Sequence, residues 1–194
     1  MNPPMLPFSI TLDLKRGALE PCNNYTLRRL SDMRGFYLDD AAAEEIIRKE
    51  DPIIYEVYQY DVPFERGQLL AVTSVIHPGK VGEEYYMTKG HFHERKDATE
   101  IYLGLHGEGY LLLETAEGRF QALAMHPGTV AYIPPGWAHR TVNVGDEDFF
   151  FFGVYPAEAG HDYGAIEERG FSHLLVERDG KPTLIPNPKY GKQR

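Results

Sequence analysis

Two stretches decide how this chain reads: Gly90-His91-Phe92-His93, and Gly128-Thr129-Val130-Ala131-Tyr132-Ile133-Pro134-Pro135-Gly136-Trp137-Ala138-His139-Arg140-Thr141-Val142-Asn143. Residues two apart on a strand face the same way, so His91 and His93 are expected to present two imidazoles side by side. Glu100 follows His93 by seven residues, at the head of the apolar run Glu100-Ile101-Tyr102-Leu103, and Gly107 then permits a turn. In the second stretch a Pro134-Pro135-Gly136 corner redirects the chain just before His139. His77, His106, His126 and His173 lack such a setting and read as ordinary surface or core residues.

Outward from these stretches the pattern is one of short strands. The chain holds 13 Tyr and 10 Phe, which favour pleated surfaces, punctuated by 14 Pro and 19 Gly. Strands are expected over 53–60, 69–76, 84–88, 101–106, 110–114, 120–125, 130–133, 139–144 and 149–155. Turns fall at Glu117-Gly118, Pro127-Gly128 and Gly145-Asp146. Strands so spaced, with no helices between them, predict an antiparallel sandwich or barrel. One helix is expected over 41–49, capped by Asp39 or Asp40 and stopped by Asp51-Pro52. A shorter one is expected from Asp162 through Ile166 to Gly170, and a C-terminal hairpin of 174–178 with 183–185 turns at Asp179-Gly180. No internal repeat or linker interrupts residues 1–194, which read as one domain: an N-terminal arm and helix (1–50), a barrel core (about 51–160), then a short helix and hairpin (161–194).

Composition excludes several classes. With 20 Lys plus Arg against 29 Asp plus Glu, the 194 residues carry a net charge of −9, which argues against nucleic acid as a partner. No run approaches the roughly 18–20 apolar residues of a membrane helix, so no membrane partner is expected. Met1 to Pro7 has no basic region followed by an apolar run. The single cysteine, Cys22, cannot form an intramolecular disulfide. A cytoplasmic protein is the expectation.

Both histidine stretches resemble the two motifs of the cupin superfamily. The first motif reads here as Gly90, His91, His93, Glu100 and Gly107, with a longer His-to-Glu interval than the commonest form. The second, G-x5-P-x-G-x2-H-x3-N, matches without a gap from Gly128 to Asn143. The resemblance implies an all-β cupin (jelly-roll) barrel or sandwich with an N-terminal extension and one or two short helices. It also implies one divalent metal ion per subunit held by His91, His93, Glu100 and His139. Three neutral imidazoles and one carboxylate leave a net charge of about +1 around such an ion. A tetrahedral ion would be filled by these ligands, whereas an octahedral one keeps two positions for adjacent oxygens. Fe²⁺ is the first choice, with Mn²⁺, Ni²⁺, Co²⁺ and Zn²⁺ as alternatives.

Outside the motifs the chain is similar to the cupin-type glucose-6-phosphate isomerases of archaea. The matching stretches are Arg28-Arg29-Leu30-Ser31-Asp32-Met33, Glu50-Asp51-Pro52, Tyr55-Glu56-Val57-Tyr58, Pro78-Gly79-Lys80-Val81-Gly82 and Thr88-Lys89-Gly90-His91-Phe92-His93. They continue through Trp137 to Asn143, then Tyr155-Pro156-Ala157 and Gly160-His161-Asp162-Tyr163-Gly164, a box that a generic cupin has no need of. Gly136 stands where the family often has Tyr, and Tyr85-Tyr86-Met87 replaces a run richer in Phe. The first bears on one pocket wall and the second on packing.

This resemblance implies interconversion of D-glucose 6-phosphate and D-fructose 6-phosphate, in glycolysis and gluconeogenesis, with the metal holding O1 and O2 of the open-chain sugar. Glu100 is the first choice to move a proton between C2 and C1. A metal-bound carboxylate is a weak base, so a hydride shift with Glu100 acting mainly as a ligand is the alternative. Tyr155 and His161 would then shuttle hydroxyl protons or help open the ring. Tyr55, Ser74, Thr88, Lys89, Gly90 and Tyr163 are candidates at the phosphate end. Tyr102, two residues beyond Glu100, is expected to line the pocket. The cavity is expected to be locally positive within an acidic surface, and the family implies a homodimer. The competing readings are a metal-dependent oxygenase, a non-catalytic sugar-binding cupin, and an isomerase acting also on mannose 6-phosphate.

Overall fold

Residues 5–191 are described in a computed structural model; Met1 to Pro4, the start of the stretch read for a leader, and Lys192 to Arg194 lie outside the described residues. The chain begins with β1 (Thr11–Leu12), β2 (Leu19–Glu20) and β3 (Asn24–Arg29), then a 3₁₀ turn and helix α1 (Asp40–Lys49). Next come β4 (Ile53–Tyr60), β5 (Leu69–Ile76), β6 (Lys80–Val81), β7 (Glu84–Tyr85), β8 (Glu100–His106) and β9 (Gly109–Thr115). The series closes with β10 (Phe120–Met125), β11 (Val130–Ile133), β12 (Trp137–Asn143), β13 (Phe149–Pro156), α2 (Gly164–Arg169), β14 (His173–Arg178) and β15 (Lys181–Pro186).

Six antiparallel strands form the larger sheet, in the order β11-β8-β13-β5-β4-β3. A three-stranded sheet, β10-β9-β12, faces it. The core between them combines Leu111 and Val142 of the smaller sheet with Ile54, Ile76, Phe149 and Phe151 of the larger. Strand alternation decides what faces inward: on β8, Glu100 and Tyr102 are buried while Ile101 between them is exposed. Asp39 caps α1 by accepting the Ala42 N–H at 2.9 Å, and α2 ends at Gly170, as their sequences indicate. The C-terminal hairpin pairs His173 with Pro186 through Arg178 with Lys181.

Three features depart from the sequence reading. The strand expected over 84–88 is regular only at β7; from Met87 onward the chain crosses to run beside β12, joined by single bridges Met87–Val142 and His91–His139. His91 and His93 therefore sit on an extended connection and not in a regular strand, because Gly90 turns the backbone to φ +76° just before them. Second, β3, read as part of an arm, is the sixth strand of the larger sheet, paired with β4 from Asn24–Gln59 to Arg28–Tyr55. It supplies backbone pairing rather than apolar burial, so its polar sequence concealed it. Third, part of the N-terminal arm packs on this same chain, where Thr73 of β5 donates to the Gly17 carbonyl on the outer face of the larger sheet.

Candidate active site

The second histidine stretch becomes β12, and its first turn of alternation puts His139 on the inner face. His91 lies directly opposite: its N–H donates to the His139 carbonyl at 3.2 Å, and its carbonyl accepts the His139 N–H at 3.0 Å. This exchange sets the two rings 4.4 Å apart. Gly90 makes the approach possible, since a Cβ there would lie 3.0 Å from the His139 carbonyl oxygen and 2.8 Å from the Phe171 ring. The buried Arg140 clamps the same segment, donating from Nη2 and Nε to the Lys89 carbonyl at 2.7 and 3.2 Å, with its guanidinium 4.6 Å from the centre of Phe171. Asn143, the last residue of the motif, ties down a turn by donating to the carbonyls of Ile76 and Glu147.

Glu100 arrives from the opposite sheet. Its Oε2 lies 3.0 Å from His139 Nε2 and 3.3 Å from His93 Nε2, in a setting only 3% exposed. One donor atom from each of His91, His93, Glu100 and His139 lies within 4.8 Å of the other three. His91 Nε2 is buried without a hydrogen-bond partner among the described residues, and His139 Nε2 faces only the Glu100 carboxylate. Buried polar atoms are rarely left so, and two imidazole nitrogens converging on a carboxylate fit a divalent cation. Burial, and then the neighbouring rings, push the His91 pKa well below 6.5, which leaves the neutral, ligating form. For Glu100, burial pushes the carboxyl pKa upward, but the His139 and His93 rings outweigh it and hold the group below the usual range.

A cavity opens beside these donors. Tyr55, Ser74, Thr88, Lys89, Gly90, Tyr102, Tyr155, His161 and Tyr163, all anticipated from the sequence, line it with His91, Glu100 and His139. His93 is not part of the lining and is only 7% exposed. At one end, the His161 ring meets His91 edge-on at 4.3 Å and lies 5.6 Å from Tyr155. Burial, together with the Glu100 charge, pushes the hydroxyl pKa values of Tyr102 and Tyr155 upward, so both remain neutral donors or acceptors. Burial also pushes the His161 pKa down.

At the other end, Thr88 Oγ1 accepts the Thr141 N–H at 3.0 Å, which leaves its own proton to donate. Tyr55, whose pKa is raised to about 12 by burial and by Tyr163, has Arg28 beside it. The Lys89 ammonium lies 5.0 Å over the Phe36 ring and 3.9 Å from Glu167. Asn24, Thr26, Arg28, Gln59 and Thr141 also line the cavity and were missed from sequence. The signal was present: Asn24, Thr26 and Arg28 alternate with Tyr25 and Leu27, the pattern of a strand with one polar face.

Comparison with known proteins bears on this arrangement. The family profile described as glucose-6-phosphate isomerase (GPI) matches residues 27–187. Glucose-6-phosphate isomerase of Pyrococcus furiosus is 48% identical over 186 residues, 96% of this chain and 98% of that protein. The Thermococcus kodakarensis protein of the same name is 48% identical over 95% of this chain and 96% of its own length. That of Sinorhizobium medicae is 37% identical over 90% and 82%. Among solved structures, an oxalate oxidase superposes with a TM-score of 0.50 at 18% identity, over 60% of this chain and 58% of that one. This last likeness concerns the fold alone, and it agrees with the all-β cupin architecture.

Proposed function

The chain belongs to the glucose-6-phosphate isomerase family, and from that premise we propose how its cavity carries out a metal-dependent aldose–ketose isomerisation of D-glucose 6-phosphate and D-fructose 6-phosphate. The observation that carries the reading is the set of four donors within 4.8 Å of one another, three of them in the wall of a cavity whose other end is polar and cationic. A divalent ion held by His91, His93, Glu100 and His139 supplies Lewis-acid polarisation of the sugar carbonyl and a counter-charge for developing negative charge. Fe²⁺ is the ion we propose, although three imidazoles and a carboxylate suit Mn²⁺, Ni²⁺, Co²⁺ and Zn²⁺ as well.

We assign the remaining steps to the chain itself. The Arg28 guanidinium, the Thr88 and Tyr55 hydroxyls and the Gly90 backbone hold the phosphate dianion, with Ser74, Lys89 and Tyr163 around them. The C1–C2 end of the open-chain sugar then lies at Glu100. Both histidine contacts of that carboxylate run to Oε2, so Oε1 is the oxygen assigned to the proton. It removes the proton from C2 of the aldose and returns it to C1 of the enediol. His161 and Tyr155 face the sugar hydroxyls, where ring opening and the exchange of hydroxyl protons take place. Tyr102, buried beside Glu100, walls the site from water.

A homodimer and a cytoplasmic location complete the proposal. The outer face of the larger sheet supports the dimer: Tyr132, Ile101 and Val154 form one apolar row across β11, β8 and β13. Tyr132 and Ile101 are 57% and 46% exposed. For the location, the support is a glycolytic substrate and the free Cys22 thiol; no helix among the described residues is long and apolar enough to cross a membrane.

The test is a coupled assay of fructose 6-phosphate conversion before and after chelation, with each divalent ion added back singly. Activity should vanish with the metal and return with Fe²⁺. In H₂O, D-glucose 6-phosphate deuterated at C2 should lose label to solvent. Turnover that persists without metal would overturn the metal's role, and complete retention of label would transfer Glu100 to a purely ligating one.

A further inference from the structure

Gln59, on β4, lines the same cavity but has no part in the steps above. Its side chain is the middle link of a fixed hydrogen-bond chain. The Tyr155 hydroxyl donates to Gln59 Oε1 at 2.6 Å. Gln59 Nε2 in turn donates to Asp61 Oδ1 at 2.5 Å, and Asn24 Nδ2 donates to the other oxygen, Oδ2, at 2.9 Å. Asp61 is itself held through its backbone, its N–H donating to Asn23 Oδ1 at 2.6 Å and its carbonyl accepting Asn23 Nδ2 at 3.1 Å.

The direction of this chain is forced. A carboxylate only accepts, so the amide NH₂ of Gln59 must face Asp61 and the amide oxygen must face Tyr155. Tyr155 has one hydroxyl proton, and Gln59 takes it. What Tyr155 presents to the cavity is therefore its remaining lone pairs. An acceptor recognises a sugar hydroxyl by its proton and rejects a carbonyl oxygen at the same point. It also keeps the tyrosine's proton from competing for the Glu100 carboxylate.

We propose that Gln59 is a positioning residue for the isomerisation, holding the Tyr155 hydroxyl as an acceptor toward a hydroxyl of the bound sugar. The inference rests on the isomerase reading, with Tyr155 at the substrate. Its test is a double-mutant cycle in the coupled fructose 6-phosphate assay, on metal-loaded protein whose melting temperature is checked alongside. Gln59→Leu removes the acceptor and is expected to lower kcat about tenfold, the effect of losing one hydrogen bond, with KM changed less than about twofold. Asp61→Asn keeps the shape of the chain but lets the Gln59 amide rotate, and is expected to lower kcat about threefold; it serves should Gln59→Leu fail to fold.

In a Tyr155→Phe background neither substitution should cost anything further, since the hydroxyl they orient is gone. Equal losses in the wild-type and Tyr155→Phe backgrounds would assign Gln59 to packing and overturn the proposal. So would a kcat unchanged in both variants. A wild-type protein without isomerase activity would instead overturn the reading beneath it, before any variant is compared.

Discussion

Arg28 separates what a single residue contributes from what its sequence context announces. A phosphate dianion is held best by charged donors, and hydrogen bonds to charged groups contribute about 1.5–3 kcal/mol each. Arg28→Met is therefore expected to raise KM for fructose 6-phosphate by on the order of 10- to 100-fold, while kcat stays within a few-fold. Inorganic phosphate should weaken as a competitive inhibitor in parallel; an unchanged inhibition constant would remove Arg28 from the phosphate end. The metal-ligand candidates were legible because their spacing is dictated by chemistry: His91, His93, Glu100 and His139 must reach one point, and few spacings do so. Arg28 was missed. It sits on a short strand whose inward side chains are Asn24, Thr26 and Arg28, and although these alternate, polar residues facing a wet cavity read, in sequence, like a solvated arm.

Among the elements, the connection from Met87 to His93 does most to assemble the site, and it is not a regular strand. Single bridges to β12 hold it, the Arg140 guanidinium pins its Lys89 carbonyl, and Gly90 lets it come within contact of His139. At Gly90 any side chain meets both a left-handed φ of +76° and three atoms at 3.0 Å or closer. Gly90→Ala is expected to cost roughly 2–4 kcal/mol, part from the backbone conformation and part from the clash. The melting temperature should fall by about 5–10 °C. Metal content after dialysis should also drop, because His91 and His93 follow directly; full metal retention with an unchanged melting temperature would contradict this account. Sequence alternation correctly put Glu100 and Tyr102 on one face of β8, since pleating is a local property. It misread the end of 84–88 and the His91–His93 segment as regular strand for the same reason: whether an extended segment pairs regularly depends on a neighbour supplied from elsewhere in the chain.

At the scale of the whole molecule, the outer face of the larger sheet and the cavity on its inner face pull in opposite directions. Inside, polar and cationic groups gather around one carboxylate; outside, Tyr132, Ile101 and Val130 leave apolar surface in water. In the proposed homodimer a second copy of the chain would cover that face, and Ile101→Asp should then halve the apparent mass in sedimentation while leaving metal binding intact. A monomeric wild-type protein would contradict it. By itself the sequence determined the architecture, the helix caps, the C-terminal hairpin and the four donor residues, because each depends on local periodicity, on turn chemistry or on a motif set by ligand geometry. Only the tertiary structure decided that residues 24–29 complete the sheet, that 87–93 lie along β12, and that Arg28 and Gln59 meet the cavity. Those placements come from backbone pairing between distant segments, which is nearly blind to side-chain identity and so leaves little trace in the order of residues.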